Sequence, residues 1–382
     1  MKFNSYKPLR LIELFAGIGA QAKALTNLGI NYEHWYVCEW DKYAIQSYNA
    51  VHGTNFNTSD ITKLTASDLN IVDTDQYNYL LTYSFPCQSL SNAGKGEGMA
   101  KGSGTRSGLL WEVERLLNEC TELPQVLLME NVPQVHGKKH INDFNKWIAF
   151  LESKGYTNFW QDLNAKNYGI PQNRNRCYMV SVLGEYSYKF PKPIPLELKF
   201  GDLLEEEVDE KYYLPPELLE RLVTIPTDKH GPSILNRSSE CAKTITTRIH
   251  SSGNYEQYIV EKMNTNKVKI WDGFNQRVRV DSSCCGTITT NIGADLKRNG
   301  QGVISYIDNE LWLRKFTPKE CWRLMGFADE DVERAAKVCS NSQLYKQAGN
   351  SIVVNVLMAI FKELFVPKKT RSEWLDELLG GV

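Results

Sequence analysis

The chain has 382 residues, 42% hydrophobic and 23% charged, a balance that argues against wholesale disorder and leaves room for about two domains. Lys plus Arg total 44 against 45 for Asp plus Glu, so with a net charge of −1 any nucleic-acid binding must rest on local positive charge. Nine cysteines, without a CxxC pair or dense regular spacing, argue against a disulfide framework and a structural zinc site, and no metal is expected.

Residues 1–10 carry charge with no long apolar stretch behind them, unlike a signal peptide, and the expected location is cytoplasmic. Short β-rich runs then alternate with helical patterns. Strands are predicted at 9–15, 35–39, 80–84, 125–130, 157–163 and 176–183. Helices are predicted at 20–28, 42–51 and 109–117, the last with Ser107 as N-cap. Such alternation builds βαβ units, so residues 1–186 are expected to form an α/β domain with a doubly wound, mostly parallel sheet.

Phe190-Pro191-Lys192-Pro193-Ile194-Pro195 then breaks the pattern. Residues 187–340 are assigned to a smaller, irregular domain whose acidic run, Glu205-Glu206-Glu207-Val208-Asp209-Glu210, reads as a solvated face. Thr-Ile-Thr-Thr occurs twice, starting at Thr244 and at Thr287, and suggests two similar hairpin strands. Thr317-Pro318-Lys319-Glu320 is a capping box with Pro at the first helical position. Asn350-Ser351 offers N-cap chemistry for a last helix over 352–364. Its apolar run to Phe361 is broken by Asn355 and falls short of the roughly 18 residues of a membrane span, so no membrane partner is expected. Residues 341–382 are expected to return to the first domain, which makes the small domain an insertion.

Two ends of the sheet carry candidate chemistry. The first strand runs into Phe15-Ala16-Gly17-Ile18-Gly19-Ala20-Gln21-Ala22, a G-x-G-x-x-A turn opening a helix, where backbone N–H groups can approach a ligand. Glu39 ends the second strand, placed to accept bonds from ribose hydroxyls, and Asp60 is a candidate for an adenine amino group. That pattern alone fits NAD, FAD or S-adenosylmethionine. Further along, three strand ends carry Pro86-Cys87-Gln88, Glu130-Asn131-Val132, and Gln172-Asn173-Arg174-Asn175-Arg176, whose arginines alternate and so share a face. A lone loop cysteine is usually inert, a glutamate after a strand is usually solvated, and paired arginines often make a surface salt bridge. Together, beside a cofactor turn, the three are hard to dismiss.

The segments 15–19, 85–91, 130–132, 172–176, 314–327 and 347–355 resemble, in order and spacing, the motif series of DNA (cytosine-5)-methyltransferases of bacterial or phage restriction–modification type. They bracket nearly the whole chain except about 187–310. The loop Gly102-Ser103-Gly104-Thr105-Arg106-Ser107-Gly108 is similar to that of bacterial CG-specific members, but it positions catalysis and does not fix a target sequence.

The resemblance implies a class I S-adenosylmethionine-dependent, Rossmann-like fold with an inserted target-recognition domain. It implies Cys87 as the nucleophile on carbon 6 of a flipped-out cytosine and Glu130 as the group that binds the 4-amino group and protonates ring nitrogen 3, with a raised pKa. Arg176 is expected on the base's carbonyl oxygen, with Arg174 supporting the Cys87 loop. The pocket for S-adenosylmethionine, and for its product S-adenosylhomocysteine, is expected to take Phe15, Ala16, Gly17, Ile18 and Gly19, with Glu39, Trp40, Asp60 and Ile61. Pro86, Leu109, Asn350, Ser351 and Ile352 complete it.

Double-stranded DNA is the expected partner, met by Gln88 and Ser91 from the Cys87 loop and by Lys95, Lys101 and Arg106 from a glycine-rich, basic flap over 92–107. Lys243, Arg248, Thr287, Lys297 and Arg298 are the candidates from the recognition region. The family's Thr-Leu-type pair near the flipped base matches Thr287-Ile288, with Thr244-Ile245 as the rival. The protein is expected to be a monomer, with a cognate restriction endonuclease as a further partner.

Three other readings stand beside this one. A tRNA cytosine-5 methyltransferase shares the motif series, but the long recognition region and the lack of a Cys-Phe-Thr segment favour DNA. A nicotinamide-dependent oxidoreductase leaves Cys87, Glu130 and the arginines unexplained. A catalytically dead DNA-binding regulator is disfavoured because no motif position is degraded.

Overall fold

The computed structural model describes residues 7–90, 97–213, 233–247, 257–262, 269–272, 277–280, 301–304 and 311–366. Its first strands are β1 (Leu9–Leu14), β2 (Tyr32–Cys38), β3 (Asn78–Tyr83), β4 (Val126–Asn131), β5 (Tyr156–Asn164), β6 (Gln172–Asn173) and β7 (Asn175–Leu183). β1 to β5 and β7 join one sheet in the order β2-β1-β3-β4-β7-β5. β2, β1, β3 and β4 run parallel, whereas β7 is antiparallel to β4, and β5 to β7. Every residue of β3 and β4 is buried, as expected of central strands covered on both faces.

The helices are α1 (Ala20–Asn27), α2 (Lys42–His52), α3 (Ala66–Leu69), α4 (Leu110–Glu119), α5 (Ile141–Ser153), α6 (Pro318–Arg323), α7 (Asp329–Ala336), α8 (Asn341–Asn350) and α9 (Val354–Phe365). Side chains alternate along the strands, so Leu11, Leu80, Leu128 and Val180 face a layer that includes α1 and α9. Ile12, Leu81, Leu127 and Met179 face the opposite layer with α4 and α5. α5 was not predicted, although Phe144, Trp147, Ile148 and Leu151 carry helical spacing. Among the described residues no single helix is long and apolar enough to cross a membrane.

Some local predictions are corrected. Ser107 does not cap α4; Thr105 accepts from Gly108 N (3.1 Å) at the head of a short turn, Arg106–Leu109, that leads into the helix. Asn350 closes α8 and Ser351 is its C-cap, while α9 starts at Val354 without a side-chain cap. The capping box at Thr317 does form. Thr317 Oγ1 accepts from Glu320 N (3.2 Å), and Thr317 N donates to Glu320 Oε2 (2.9 Å).

The irregular region contributes β8 (Ser233–Leu235), β9 (Ala242–Lys243), β10 (Gln257–Lys262), β11 (Lys269–Asp272), β12 (Arg277–Val280), β13 (Gln301–Ile304) and β14 (Leu311–Arg314). They form small sheets ordered β14-β10-β8 and β12-β11-β13, and β9 lies parallel to β6. Thr244–Thr247 runs on from β9 without forming the expected hairpin strand. The Thr287 copy lies outside the described residues. α6 and α7, before residue 340, do not share these sheets: Trp322 and Val332 are buried with α1 and α9, and Asp331 pairs with Lys23 of α1 at 2.7 Å.

Candidate active site

The antiparallel insertion of β7 explains how distant motifs meet. Because β7 starts where β4 ends, Glu130 lies opposite Tyr178 and Asn131 opposite Cys177, which brings Arg176 to the same rim. Arg176 Nε stands 3.2 Å from Glu130 Oε1, and Glu130 is only 8% exposed. Burial raises the Glu130 pKa, against the pull of Arg176 and then Arg174.

Cys87 follows β3 in a half-buried loop pinned from three sides. Asn131 Nδ2 donates to Phe85 O (2.9 Å), Ser107 Oγ to Pro86 O (2.6 Å) and Leu90 N to Cys87 O (3.0 Å). Burial pushes the Cys87 thiol pKa up and the Glu130 charge adds to this, while Arg176 and Arg174 oppose it. Asn131 was part of a recognised motif but received no role from the sequence; a buried amide after a strand-end acid is the signal that it holds a neighbouring backbone.

Arg174 differs from its expected use. Its guanidinium donates to Ile245 O (2.9 Å), Gly349 O (3.0 Å) and Ser351 O (2.8 Å), not to the backbone of the Cys87 loop. Burial, then Arg176, lowers its pKa to about 9. Gln172 completes the clamp: its Oε1 accepts from Ile245 N (2.9 Å) and its Nε2 donates to Leu324 O (2.6 Å). Thr244 Oγ1 donates to Asn173 O (2.9 Å). With both backbone groups of Ile245 taken by side chains, Thr244–Thr247 has no ladder to join. Gly349 allows this chain to dock, since a Cβ there would stand 2.3 Å from Thr247 N.

The cofactor candidates gather at the ends of β1 and β2. Gly17 N donates to Glu39 Oε2 (2.9 Å) and Asp41 N to Glu39 Oε1 (2.8 Å), so the carboxylate ties the glycine turn to the second strand. Phe15 holds a left-handed φ of 59°, a strain that non-glycine residues carry mainly where function demands it. Gly19, at φ 77°, has no room for a side chain, because a Cβ would stand 2.2 Å from His52 Nε2. Ala16, Ile18 and Ile61 are buried, and Trp40 is 76% exposed beside Glu39.

Asp60 Oδ1 accepts from Thr62 N (3.0 Å) and caps its own turn. Lys346 of α8 reaches Asp41 (2.6 Å), which ties α8 to the segment after β2. Pro86 and Leu109 are half-buried near the Cys87 loop. An exposed indole, a half-buried carboxylate and a glycine turn form a donor and acceptor set that fits a nucleoside.

Among the DNA candidates, Arg106 donates to Gln88 Oε1 (2.8 Å) and Lys101 pairs with Glu114 (2.6 Å). The described part of the flap is tied down: Trp111 Nε1 donates to Met99 O (2.7 Å) and Thr105 Oγ1 to Gly98 O (2.9 Å). Lys243 is exposed on β9. Ser91, Lys95, Arg248, Thr287, Lys297 and Arg298 lie outside the described residues.

This is the class I S-adenosylmethionine-dependent methyltransferase fold. Solved structures share it: Dnmt2 of S. pombe (TM-score 0.65, 22% identity, 98% of this chain and 100% of that chain) and EhMeth of Entamoeba histolytica (TM-score 0.66, 18% identity, 94% and 98%). Residues 9–366 match the family described as C-5 cytosine-specific DNA methylase, and the chain belongs to that family. Curated relatives include the type II methyltransferase M2.ScrFI of Lactococcus lactis subsp. cremoris, 30% identical over 94% of this chain and 99% of its own length. The orphan methyltransferase M.SssI of Spiroplasma monobiae is 31% identical over 94% and 98%. The enzyme is a DNA (cytosine-5)-methyltransferase.

Proposed function

We propose that Cys87 attacks carbon 6 of a cytosine flipped out of duplex DNA, and that Glu130 and Arg176 hold that base. Cytosine is a poor nucleophile at carbon 5; a thiolate at carbon 6 breaks the aromatic system and moves electron density to carbon 5. Glu130, protonated in the closed complex, donates to ring nitrogen 3 and accepts from the 4-amino group. The observation that carries this reading is the Glu130–Arg176 pair, 3.2 Å apart at the rim where β4 meets β7, with the half-buried Cys87 loop pinned to the next residue, Asn131, through Phe85 O (2.9 Å). Bound S-adenosylmethionine supplies an activated methyl group, held by Glu39, Trp40 and the turn 15–19. Removal of the carbon-5 proton then releases Cys87.

Asn131 and Ser107 act as positioning residues for the Cys87 loop. Arg174 and Gln172 fix Thr244-Ile245 beside the site, which supports this pair over Thr287-Ile288 as the one that steadies the DNA backbone at the vacated position. The target-recognition segment in this reading is 187–314, and the chain works as a cytoplasmic monomer. Relatives named type II methyltransferases support a restriction–modification role with a cognate endonuclease. The test is transfer of labelled methyl groups to duplex DNA and to tRNA. Label in DNA alone, as 5-methylcytosine at one recurring sequence, is the expected result. Label in tRNA alone would overturn the DNA assignment.

A further inference from the structure

On the face of β7 opposite Arg176 lies a second group of side chains that the methyl-transfer chemistry does not use. Cys177 alternates with Arg176 and Tyr178 along the strand, so it points away from Glu130. Its ladder partner on β5 is Asp162, and Asn131 of β4 flanks it on the other side. The turn after β4, Pro133–His136, swings His136 over this face, with its Nε2 at 2.9 Å from Asp162 Oδ1. The His136 ring nitrogen, the Asp162 carboxylate and the Cys177 Sγ all lie within 4.8 Å of one another.

We infer that His136, Asp162 and Cys177 form a binding site for a thiophilic divalent cation, zinc in the first place. One nitrogen, one oxygen and one sulfur donor make a set that zinc accepts. With bonds of about 2.0–2.3 Å, a tetrahedral ion separates its ligands by about 3.3–3.8 Å, so His136 and Asp162, now 2.9 Å apart, would part slightly to admit it. Cys177 is fully buried, while the His136 and Asp162 side chains keep 22% and 30% of their surface, which gives an ion access from solvent. Trp160 packs on the His136 ring (centroids 4.7 Å) and fixes its plane. On binding, the His136–Asp162 hydrogen bond gives way to two bonds to the cation, the imidazole proton resides on Nδ1, and the Cys177 thiol gives its proton to solvent as its sulfur bonds the cation, so affinity rises with pH. The ion would tie β5 and β7 to the turn that follows Glu130. Three separate elements supply the ligands, so no short motif announces the site.

The test is titration of chelator-stripped full-length protein with cobalt(II), followed by the charge-transfer absorption of a cobalt–thiolate bond. One equivalent is expected to bind with that band, and zinc to abolish it by displacement. The band should survive in Cys87→Ser and be lost in both Cys177→Ala and His136→Gln. Cys177 is buried, so its variant is first checked by thermal melting. If that variant does not fold, His136→Gln at its partly exposed position decides. Absence of the band in the wild type, its loss in Cys87→Ser, or its persistence in His136→Gln overturns the site.

Discussion

At the scale of single residues, the site rests on protonation states that burial sets. Cys87 and Glu130 both have raised pKa values, so the form that the proposed mechanism needs, thiolate with protonated carboxyl, is a minority species at every pH. Its fraction rises with pH until Glu130 titrates, stays level, and falls only once Cys87 has lost its proton. Glu130→Gln removes the carboxyl titration. Its rate should be lower by about 10²–10⁴-fold and climb with pH through the Cys87 ionisation without the falling limb, as a kcat/KM profile over pH will show. Asn131→Ala frees the Phe85 carbonyl and lets the Cys87 loop shift. Single-turnover methylation should slow by about 10²-fold while S-adenosylhomocysteine still binds. Cys87 and Glu130 could be singled out from the sequence because each sits in an ordered motif, and the fold brings their strand ends to one rim. Arg174 was misread in its contacts, since a guanidinium reaches several ångströms and sequence does not say to which backbone.

At the scale of elements, the account depends on how the recognition segment is docked. Gly349 packs against Thr246-Thr247 with no room for a methyl group. Gly349→Ala should weaken duplex binding while the protein still folds, as measured by mobility shift and melting; wild-type DNA affinity would contradict the docking. α6 is anchored by a fully buried ion pair, Arg314 to Glu320, with bonds of 2.9 Å on both carboxylate oxygens. Glu320→Ala removes the carboxylate that neutralises the buried arginine and should cost about 3–5 kcal/mol in denaturant unfolding.

The strands and helices that carry the sheet were legible from alternation and length. α5 was missed despite its apolar spacing because its first turn, after His140, has no side-chain cap. The Ser107 and Asn350-Ser351 caps were misplaced because polar residues at helix ends serve neighbouring loops as readily as the helix itself.

At the scale of the whole molecule, the fold closes by bringing α9 back onto α1, and a polar network runs beneath the cofactor turn. Glu13 of β1, fully buried, accepts from Tyr48 Oη of α2 at 2.5 Å, and Tyr48 also meets His34 Nδ1 at 2.8 Å. Burial raises the Glu13 pKa from 4.5 to about 7. A raised carboxyl pKa means that the folded state holds the proton more tightly than the unfolded chain. Its contribution is full below pH 4.5 and is lost as pH rises through about 7. The loss is on the order of 3 kcal/mol. Glu13→Gln should therefore flatten the decline of stability across that window, as read from urea midpoints at a series of pH values; an unchanged slope would contradict the assignment. Nothing in the sequence marked this network, because a single acid in an apolar strand gives no sign of its partners.

The central claim is a bond between the sulfur of Cys87 and carbon 6 of an extruded cytosine. Duplex DNA carrying 5-fluorocytosine at the methylated position tests it directly, because fluorine at carbon 5 cannot leave as a proton does and the adduct persists. With S-adenosylmethionine present, a denaturant-resistant protein–DNA complex should form, and peptide mapping should place the link at Cys87. A complex that still forms in Cys87→Ser, or a link at any other residue, would contradict the account.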